Sequence, residues 1–322
     1  MFNKEDYVIA IPTYKRQNII ITKTLFLLYT YNIKPKNIIL FLANKTEKEN
    51  YKQLLTNTEQ IAKILKQSKK LKIIQFLKKN EKLIQKYKNF LTKIINQSII
   101  GKPGLAKQRN FIRDYFPEEE NIVQMDDDLD YIWTLDVDKK DIKNNKKYIK
   151  RELHNLDKMI RYAFNMCKTH NCNLWGIYPI DNAYFMRPSI SLHLKFIVGP
   201  FFGYINNKSN NLKLKLNEKE NAERTLKHYH KDKSVLRFNN ISITTDYYKV
   251  PGGMQSNNTN RNLAASKSAK ILAKQFPKYV KIFYKGKTKR AELKYSNITR
   301  KITPQIYSND IERFLQFDKL IN

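Results

Sequence analysis

The chain has 322 residues, of which 41% are hydrophobic and 12% aromatic, enough apolar material for a substantial core. This composition excludes a disordered protein, and no run reaches the roughly 18 consecutive apolar residues of a transmembrane helix. In residues 1–16, Glu5 and Asp6 precede the short apolar run, which is unlike a secretory signal. We therefore expect a soluble, intracellular protein.

The formal net charge is +32, from 61 Lys and Arg against 29 Asp and Glu. Such a charge favours polyanionic partners, nucleic acid above all. Because Lys far outnumbers Arg and Asn and Ile are abundant, an AT-rich genome explains the same composition, so both interpretations stay open. The two cysteines, Cys167 and Cys172, flank His170 without a fourth zinc ligand nearby, and we expect both to be reduced.

Predicted strands and helices alternate along the first part of the chain. Strands are expected at 7–12 and 37–42, and helices at 17–31 and about 46–65. This order predicts a parallel, doubly wound sheet. The Lys-rich segment 67–90 either extends the helical region or forms an insertion on the surface.

The pattern continues with a strand at 94–100, which the Gly101–Gly104 turn ends, and a helix at 105–115. The next strand, 121–125, leads directly into Asp126–Asp128. A loop rich in Asp and Lys then precedes an amphipathic helix at about 147–167.

The second half changes character, and we predict a mixed or antiparallel sheet with helices there. Its expected elements are strands at 174–178, 195–205 and 234–249, a helix at 262–275, and a basic remainder, 278–322, with a helix near 310–320. We expect a main domain over 1–256, divided into halves at residue 130, and a basic C-terminal helical extension over 257–322 packed on it.

The acidic run after the predicted strand 121–125 is the strongest candidate for chemistry. Ligands of open α/β sheets bind at the carboxyl ends of the strands, at the switch point in strand order. Asp126 and Asp128, two residues apart in an extended turn, can share Mg²⁺ or Mn²⁺ with phosphate oxygens, while Asp127 faces elsewhere. The alternative is an exposed acidic turn.

Two further segments, IPTYKR (11–16) and GLAKQRN (104–110), lie at the start of predicted helices and offer groups that can bind an anion. Thr13 supplies a hydroxyl beside backbone donors, and Lys107 and Arg109 can neutralise phosphate. A solvated basic helix face is the alternative for the second segment. Neither segment is a Walker loop or a GxGxxG fingerprint, so kinase, NTPase and NAD-binding functions lose their main support.

A general base is sought among the other acidic residues. Glu220 and Glu223 lie in the stretch EKENAER (218–224), which reads equally well as the charged first turn of a helix. His228 and His230 follow closely, and we interpret both as surface residues.

The segments VIAIPTYKR (8–16), GLAKQRNFIRDYF (104–116) and NIVQMDDDLDYI (121–132) together resemble a GT-A glycosyltransferase. More narrowly, the chain resembles the TET/JBP-associated glycosyltransferases of phages, large DNA viruses and kinetoplastids. The resemblance covers about residues 7–256 and extends to 175–186, 196–204, 220–248 and 251–255. It implies a GT-A-like (Rossmann-like), mostly parallel central sheet flanked by helices, with a mixed acceptor-side half.

The resemblance also implies a UDP-sugar donor and Mn²⁺ or Mg²⁺. It places Pro12, Thr13 and Arg16 at the nucleotide, Lys107, Arg109 and Asp126 beside the donor, Asp126 and Asp128 on the metal, and Trp175, Gly199 and Phe201 on the acceptor side. Two positions depart from the family pattern. Glu220–Asn221 stands where an acidic pair is frequent, so Glu220 or Glu223 takes the role of base, and no histidine follows His230 to serve as a late metal ligand.

Family members are linked to glucosylation of hydroxymethylated bases in DNA, which implies that acceptor here, in a viral protein acting in its host cell. The target base has to leave the stack, and Trp133, Tyr184, Phe201 and Phe202 are candidates to hold it. Two alternatives stay open: the same chemistry on a protein or glycan, and an inactive GT-A-like protein that binds nucleic acid.

Overall fold

The computed structural model describes residues 6–79, 82–137, 148–245, 261–285 and 290–296. The strands are β1 (Val8–Thr13), β2 (Ile38–Leu42), β3 (Ile99–Ile100), β4 (Asn121–Met125), β5 (Leu129–Val137), β6 (Tyr148–Glu152), β7 (Leu174–Ile177), β8 (Ile190–Ser191), β9 (Phe201–Ile205), β10 (Leu236–Phe238), β11 (Ile241–Thr245), β12 (Val280–Lys285) and β13 (Arg290–Tyr295). The α-helices are α1 (Gln17–Thr22), α2 (Thr24–Thr30), α3 (Lys45–Leu55), α4 (Thr58–Gln67), α5 (Leu71–Lys79), α6 (Lys82–Asn96), α7 (Leu105–Tyr115), α8 (Leu156–Thr169), α9 (Glu220–Asp232) and α10 (Arg261–Gln275).

The central sheet has eight strands in the order β3-β2-β1-β4-β9-β7-β10-β8. Strands β3, β2, β1 and β4 run parallel, β9 is antiparallel to both of its neighbours, and β10 returns parallel to β7. The chain leaves β1 towards β2 on one side and reaches β4 on the other. The strand order therefore reverses between β1 and β4, where open sheets of this kind bind ligands.

Both faces of this sheet are buried, as the continuous apolar sequences of its strands predict. Ile9 and Ile11 belong to one core cluster, whereas Val8 and Ala10 belong to a second cluster on the opposite face. Helices thus cover both faces. The predicted α/β class, with a mostly parallel sheet and a mixed second half, is confirmed.

Several predicted elements differ from the structure in their bounds. The helix expected at 17–31 breaks at Lys23 into α1 and α2. The helix expected at 46–65 breaks before α4, because the Asn57 side chain accepts a hydrogen bond from the Gln60 amide and so caps a new helix. Segment 67–90 extends the helical region as α5 and the start of α6.

The strand predicted at 94–100 is wrong for most of its length. Helix α6 continues to Asn96 and only Ile99–Ile100 pair as β3. The reason lies upstream, since Phe90, Leu91, Ile94 and Ile95 are buried at helical spacing and turn the apolar run into one face of α6.

The loop predicted after Asp128 is wrong over 129–137, which form β5, and the predicted helix is wrong at its start, where 148–152 form β6. The loop residues 138–147 lie outside the described residues. Both strands belong to a second sheet with β11, in the order β11-β5-β6. Helix α8 starts only after Asn155, whose side chain accepts a hydrogen bond from the Lys158 amide. In β5, buried Ile132 alternates with half-buried Tyr131 and Trp133, which is typical of a strand with one solvent-exposed face. The neighbouring Asp residues obscure this pattern in the sequence.

In the second half, the strand predicted at 195–205 is confined to β9. The strand predicted at 234–249 is divided by a turn at Asn239–Asn240 into β10 and β11, and its last residues, 246–249, lie outside the described residues. The basic remainder contains the hairpin β12–β13. The helix expected near 310–320 and the segment 251–255 lie outside the described residues. Cys167 and Cys172 are both buried and free, as predicted. Within the described ranges, no helix has the length and apolarity needed to span a bilayer.

Trp175 owes its place in the core to a glycine on the adjacent strand. Trp175 and Gly203 are register partners of β7 and β9, and the indole is fully buried. A Cβ atom on Gly203 would lie 2.4 Å from Trp175 Cε2, far inside van der Waals contact. The absence of a side chain at 203 is therefore what lets the indole lie flat against the sheet.

We expect Gly203→Ala to lower the free energy of unfolding by roughly 1–3 kcal/mol, because the added methyl group overpacks this site. The measurement is the urea midpoint of each variant. Adding Trp175→Phe should recover part of the loss, since the smaller ring gives the methyl group room. Strictly additive losses in the double variant would contradict the steric explanation.

Candidate functional site

A cleft of about 950 Å³ opens at the carboxyl ends of β1 and β4. Pro12 and Thr13 at the end of β1 line it together with Asp126–Asp128 after β4. Six cationic and six anionic side chains line it among the described residues: Arg16, Lys102, Arg109, Lys219, Arg261 and Arg290, and Asp126, Asp127, Asp128, Glu218, Glu220 and Glu292. The described lining is therefore neutral overall in a strongly basic chain.

The three carboxylates of the acidic run have different surroundings. Asp127 is buried and accepts hydrogen bonds from the Thr13 hydroxyl at 2.6 Å and Arg16 Nη1 at 2.7 Å. Burial raises the pKa of Asp127 to about 6, against the opposing effect of Arg16. Asp128 accepts bonds from Arg16 Nη1 at 3.1 Å and the Thr245 hydroxyl at 2.7 Å. Asp126 has the most exposed side chain of the three, at 31%.

The loop after β1 is fixed by two residues of α3 that the sequence did not single out. The Tyr51 hydroxyl oxygen lies 2.6 Å from the Thr13 hydroxyl oxygen and accepts a hydrogen bond from the Arg16 backbone amide. The Glu47 carboxylate accepts the amide of Lys15, whose φ is +53°. In the sequence, Asn44 and Glu47 have the spacing of an N-terminal capping box, which marks the start of a helix and does not point to this loop. This support orients Arg16 towards the acidic run.

Arg109 is the central cation of the site. Its guanidinium donates to Gln124 Oε1 at 2.6 Å, to Asp126 Oδ1 at 3.0 Å and to the Gly199 carbonyl at 3.3 Å. Its Nε lies 3.3 Å from Glu220 Oε1. One buried guanidinium thus contacts a carboxylate of the acidic run and a carboxylate of α9, which are almost a hundred residues apart in the sequence.

The two glutamates proposed as a base have different environments. Glu220 lines the cleft, and its Oε2 accepts a bond from Arg224 Nη1 at 2.7 Å. Glu223 is absent from the lining, because its carboxylate accepts the backbone amides of Lys215 and Leu216, each at 2.9 Å, and pairs with Lys227 at 2.8 Å. Of the two, only Glu220 is placed to meet a ligand in the cleft.

Gly199 lies on the cleft wall beside Glu220. A Cβ atom there would approach Glu220 Oε1 to 3.2 Å, so a side chain would crowd this carboxylate. The Gly199 carbonyl also accepts a hydrogen bond from Arg109 Nη2. Both contacts agree with the predicted place of Gly199 at the site, and its acceptor-side role stays a prediction.

Helix α10 and strand β13 form one wall of the cleft that the sequence did not indicate. Arg261 pairs with Glu218 at 2.9 Å, and Lys219 pairs with Glu292 at 2.5 Å. Tyr295 also lines the cleft, and its hydroxyl is buried without a hydrogen-bond partner among the described residues. The start of α9 is therefore tied to the C-terminal segment by ion pairs.

Other predicted site residues lie away from the cleft. Lys107 is exposed on α7 and is not part of the lining, although Arg109 two residues later is. Trp175 and Phe201 are fully buried and pack edge to face on each other at 5.5 Å. Phe202 is also buried, whereas Tyr184 is 78% exposed on a loop. The sequence could not separate these roles, because aromatic residues serve cores and ligands alike.

The carboxylates suit a divalent cation in their chemistry. Asp126 Oδ2 has no hydrogen-bond donor among the described residues, and Asp128 adds a second hard oxygen ligand near the Thr245 hydroxyl. Within the described ranges, three or more His, Cys, Asp or Glu side chains nowhere gather as a metal site. Phosphate oxygens of a substrate would therefore have to complete the coordination, as is usual for Mg²⁺.

His228, interpreted as a surface residue from the sequence, is a buried residue of α9. Burial and the charges of Arg224, Lys231 and Arg113 lower the pKa of His228 to about 3. The folded protein keeps this imidazole neutral, whereas the unfolded chain protonates near a pKa of about 6.5. Its contribution to stability is complete above pH 7 and is lost as the pH falls towards 3.

We expect the wild-type protein to lose roughly 2 kcal/mol of unfolding free energy from this residue between pH 7 and pH 5. In His228→Gln that part of the pH dependence should disappear. Urea midpoints at the two pH values provide the measurement, and the exposed His154→Gln serves as the matched control. An unchanged pH dependence in His228→Gln would contradict the assignment.

No protein-family model matches the chain, and no curated protein matches it in sequence. Among solved structures, S. aureus TarS 1–349 in complex with UDP-GlcNAc matches with a TM-score of 0.49 and 13% identity, covering 84% of this chain and 66% of that chain. S. aureus TarS 1–349 matches with a TM-score of 0.43 and 13% identity over 84% and 72% of the chains. A further TarS structure matches with a TM-score of 0.42 and 14% identity over 84% and 43%.

The chain thus spans just under two thirds of the first of these structures and less than half of the third. The fold class follows from the sheet order itself, with the reversal between β1 and β4. The function has to be derived from the residues of the cleft.

Proposed function

We propose that this chain is a nucleotide-sugar-dependent glycosyltransferase. The observation that supports this most directly is the Arg109 guanidinium, which contacts Asp126 on one side and Glu220 on the other. A transfer reaction needs a group that holds the leaving diphosphate and a base for the incoming hydroxyl, close to one another. These two carboxylates meet that requirement at the switch point of the sheet.

The neutral lining of the cleft bears on how a diphosphate would bind. With six cationic and six anionic side chains, the described lining offers no excess positive charge to a dianionic group. Added positive charge is therefore needed, and Asp126 and Asp128 would hold Mn²⁺ or Mg²⁺. When bound, such an ion stabilises the charge that develops on the leaving phosphate.

The residues of the chain supply the remaining chemistry. Glu220 takes the proton from the acceptor hydroxyl as its oxygen bonds to the anomeric carbon and the bond from that carbon to the diphosphate breaks. Attack from the face opposite the leaving group inverts the anomeric centre. Thr13 and Arg16 contact the nucleotide side of the cleft, next to Pro12. We propose a UDP-sugar as donor, with glucose as the sugar.

For the acceptor we propose a 5-hydroxymethylpyrimidine base in DNA. The described cleft lining sums to zero, so the net charge of +32 is carried by the rest of the chain. That distribution suits a polyanion bound outside the cleft with one group inserted into it. The inserted base leaves its stack at a cost of a few kcal/mol.

The experiment is transfer of labelled glucose from UDP-glucose, with Mn²⁺, to DNA that contains 5-hydroxymethyl bases. Unmodified DNA of the same sequence, glycans and a protein mixture are the competing acceptors. Label in the modified DNA alone supports the proposal. Label in protein or glycan keeps the chemistry and overturns the DNA acceptor.

If the protein bound DNA but neither bound UDP nor hydrolysed a UDP-sugar, the proposed glycosyltransferase activity would be wrong. A role in nucleic-acid binding would then be favoured. Measuring hydrolysis first separates failure of the chemistry from failure of the acceptor. The salt dependence of DNA binding adds an independent check, since a polyanion bound by many lysines dissociates steeply as salt rises.

A further inference from the structure

A second, small cavity lies between α7, α9 and the central sheet, with a volume of about 30 Å³. Of the residues that the structure describes, it shares only Arg109 with the large cleft. Its lining includes three arginines, Arg109, Arg113 and Arg224, together with Tyr204 and His228, and no carboxylate among the described residues. A buried cavity with this lining has an excess of positive charge.

Several donors around this cavity have no acceptor in the described part of the chain. Arg224 Nε and Nη2 are buried donors without a hydrogen-bond partner, and His228 Nδ1, which donates in one of its two neutral tautomers, is buried without a partner as well. The Arg224 guanidinium cannot easily rotate to find one, because its Nη1 is bound to Glu220 and its Cζ lies 3.5 Å from the centre of the Phe202 ring. A buried donor without a partner costs about 1–3 kcal/mol, so occupancy of the cavity has a clear driving force.

Tyr204 adds a further donor to this set. Its hydroxyl oxygen accepts a bond from Gln124 Nε2 at 3.0 Å, which leaves the hydroxyl hydrogen to be donated. The buried carboxylate nearest to Arg224, Glu220, is shared with Arg109. The acid that pairs with Arg113, Asp114, is 47% exposed and screens its charge only weakly.

We infer that this cavity is a binding site for a small monovalent anion, with chloride as its physiological occupant. Arg224 and Tyr204 supply donors without acceptors, and an anion accepts from them while it offsets the arginine charge. A water molecule would have two hydrogens of its own to place, which these donors cannot accept. The volume admits one or two water-sized particles, which suits a monatomic anion. The inference does not depend on the proposed function.

The experiment has two independent readouts on the full chain. First, crystals grown in sodium bromide are measured at the bromine absorption edge, and we expect an anomalous peak in contact with Arg224 and Tyr204. Second, the melting temperature is compared in sodium chloride and sodium gluconate at equal ionic strength. We expect chloride to raise it by about 2–4 °C, because the anion binds the folded state alone.

Tyr204→Phe removes one donor and should reduce the difference between the two salts. Tyr7→Phe is the matched control, since it removes another buried tyrosine hydroxyl, bound to Asp157 at 2.7 Å and remote from the cavity. Equal melting temperatures in both salts would overturn the inference. So would a bromide peak only elsewhere, or density in the cavity without anomalous signal, which identifies water. The bromide readout needs no variant and stands even if Tyr204→Phe fails to fold.

Discussion

Asp128→Asn is expected to reduce Mn²⁺-supported hydrolysis of a UDP-sugar by about 10²–10³-fold, the usual loss when one group that stabilises a leaving charge is removed. Asn keeps the shape of the side chain and its contact with the Thr245 hydroxyl, but it removes the charge. The loss should therefore be smaller at saturating Mn²⁺ if the effect acts through metal affinity. Initial rates across a Mn²⁺ titration provide the measurement.

Asp136→Asn is the matched control for this variant. Asp136 lies on β5, in the strand that follows the acidic run, and pairs with Arg151 at 3.2 Å away from the cleft lining. Its replacement should leave the rate unchanged. If Asp128→Asn hydrolysed the donor at the wild-type rate, the acidic run would not be the metal site.

The second large effect concerns the two glutamates of α9, for which we expect opposite results. Glu220→Gln should abolish transfer, with a loss of about 10²–10⁴-fold, while UDP binding is retained. Glu223→Gln should keep the activity of each folded molecule and lower stability by roughly 3–5 kcal/mol. The reason is that the Glu223 charge is buried with Lys227 and holds two backbone amides, whereas Glu220 lines the cleft.

The two variants control for each other, because each removes one buried negative charge from the same helix. Transfer rates, UDP affinity by calorimetry and urea midpoints are measured for both, with rates normalised to the folded fraction. Full transfer activity in Glu220→Gln would exclude it as the base. If Glu223→Gln lost activity but kept wild-type stability, Glu223 and not Glu220 would be the base.

Much of the first half could be predicted from the sequence, because local signals and tertiary structure agree there. The apolar runs of β1, β2 and β4 are short, end in Pro, Asn or Asp, and alternate with helical patterns. The acidic run follows β4 directly, so its place at the sheet edge needs only the parallel order of the strands. Helix α7 was predicted within its observed bounds, Leu105–Tyr115.

The remaining features depend on contacts between distant segments. Tyr51 and Glu47 act on the loop after β1 from a separate helix, and nothing local distinguishes them from other residues of α3. In the sequence, Arg224 stands in a stretch typical of a charged first turn and His228 was interpreted as a surface residue, since their burial depends on β9 and on the segment around Leu212. Trp175 and Phe201 read as ligand contacts, although packing across β7 and β9 places them in the core.

The ladder between β4 and β9 joins segments that the sequence assigned to separate halves. Five register pairs connect the strands, and the ladder continues at each end, through the Asn206 amide to the Glu120 carbonyl and the Asp126 amide to the Pro200 carbonyl. Truncation near residue 130 would remove β9, one of the two partners of the buried strand β4, and leave an unpaired edge at which chains can aggregate. Residues 1–130 are therefore not a module that recombination can exchange as a unit, because their last sheet strand is paired along its whole length with β9.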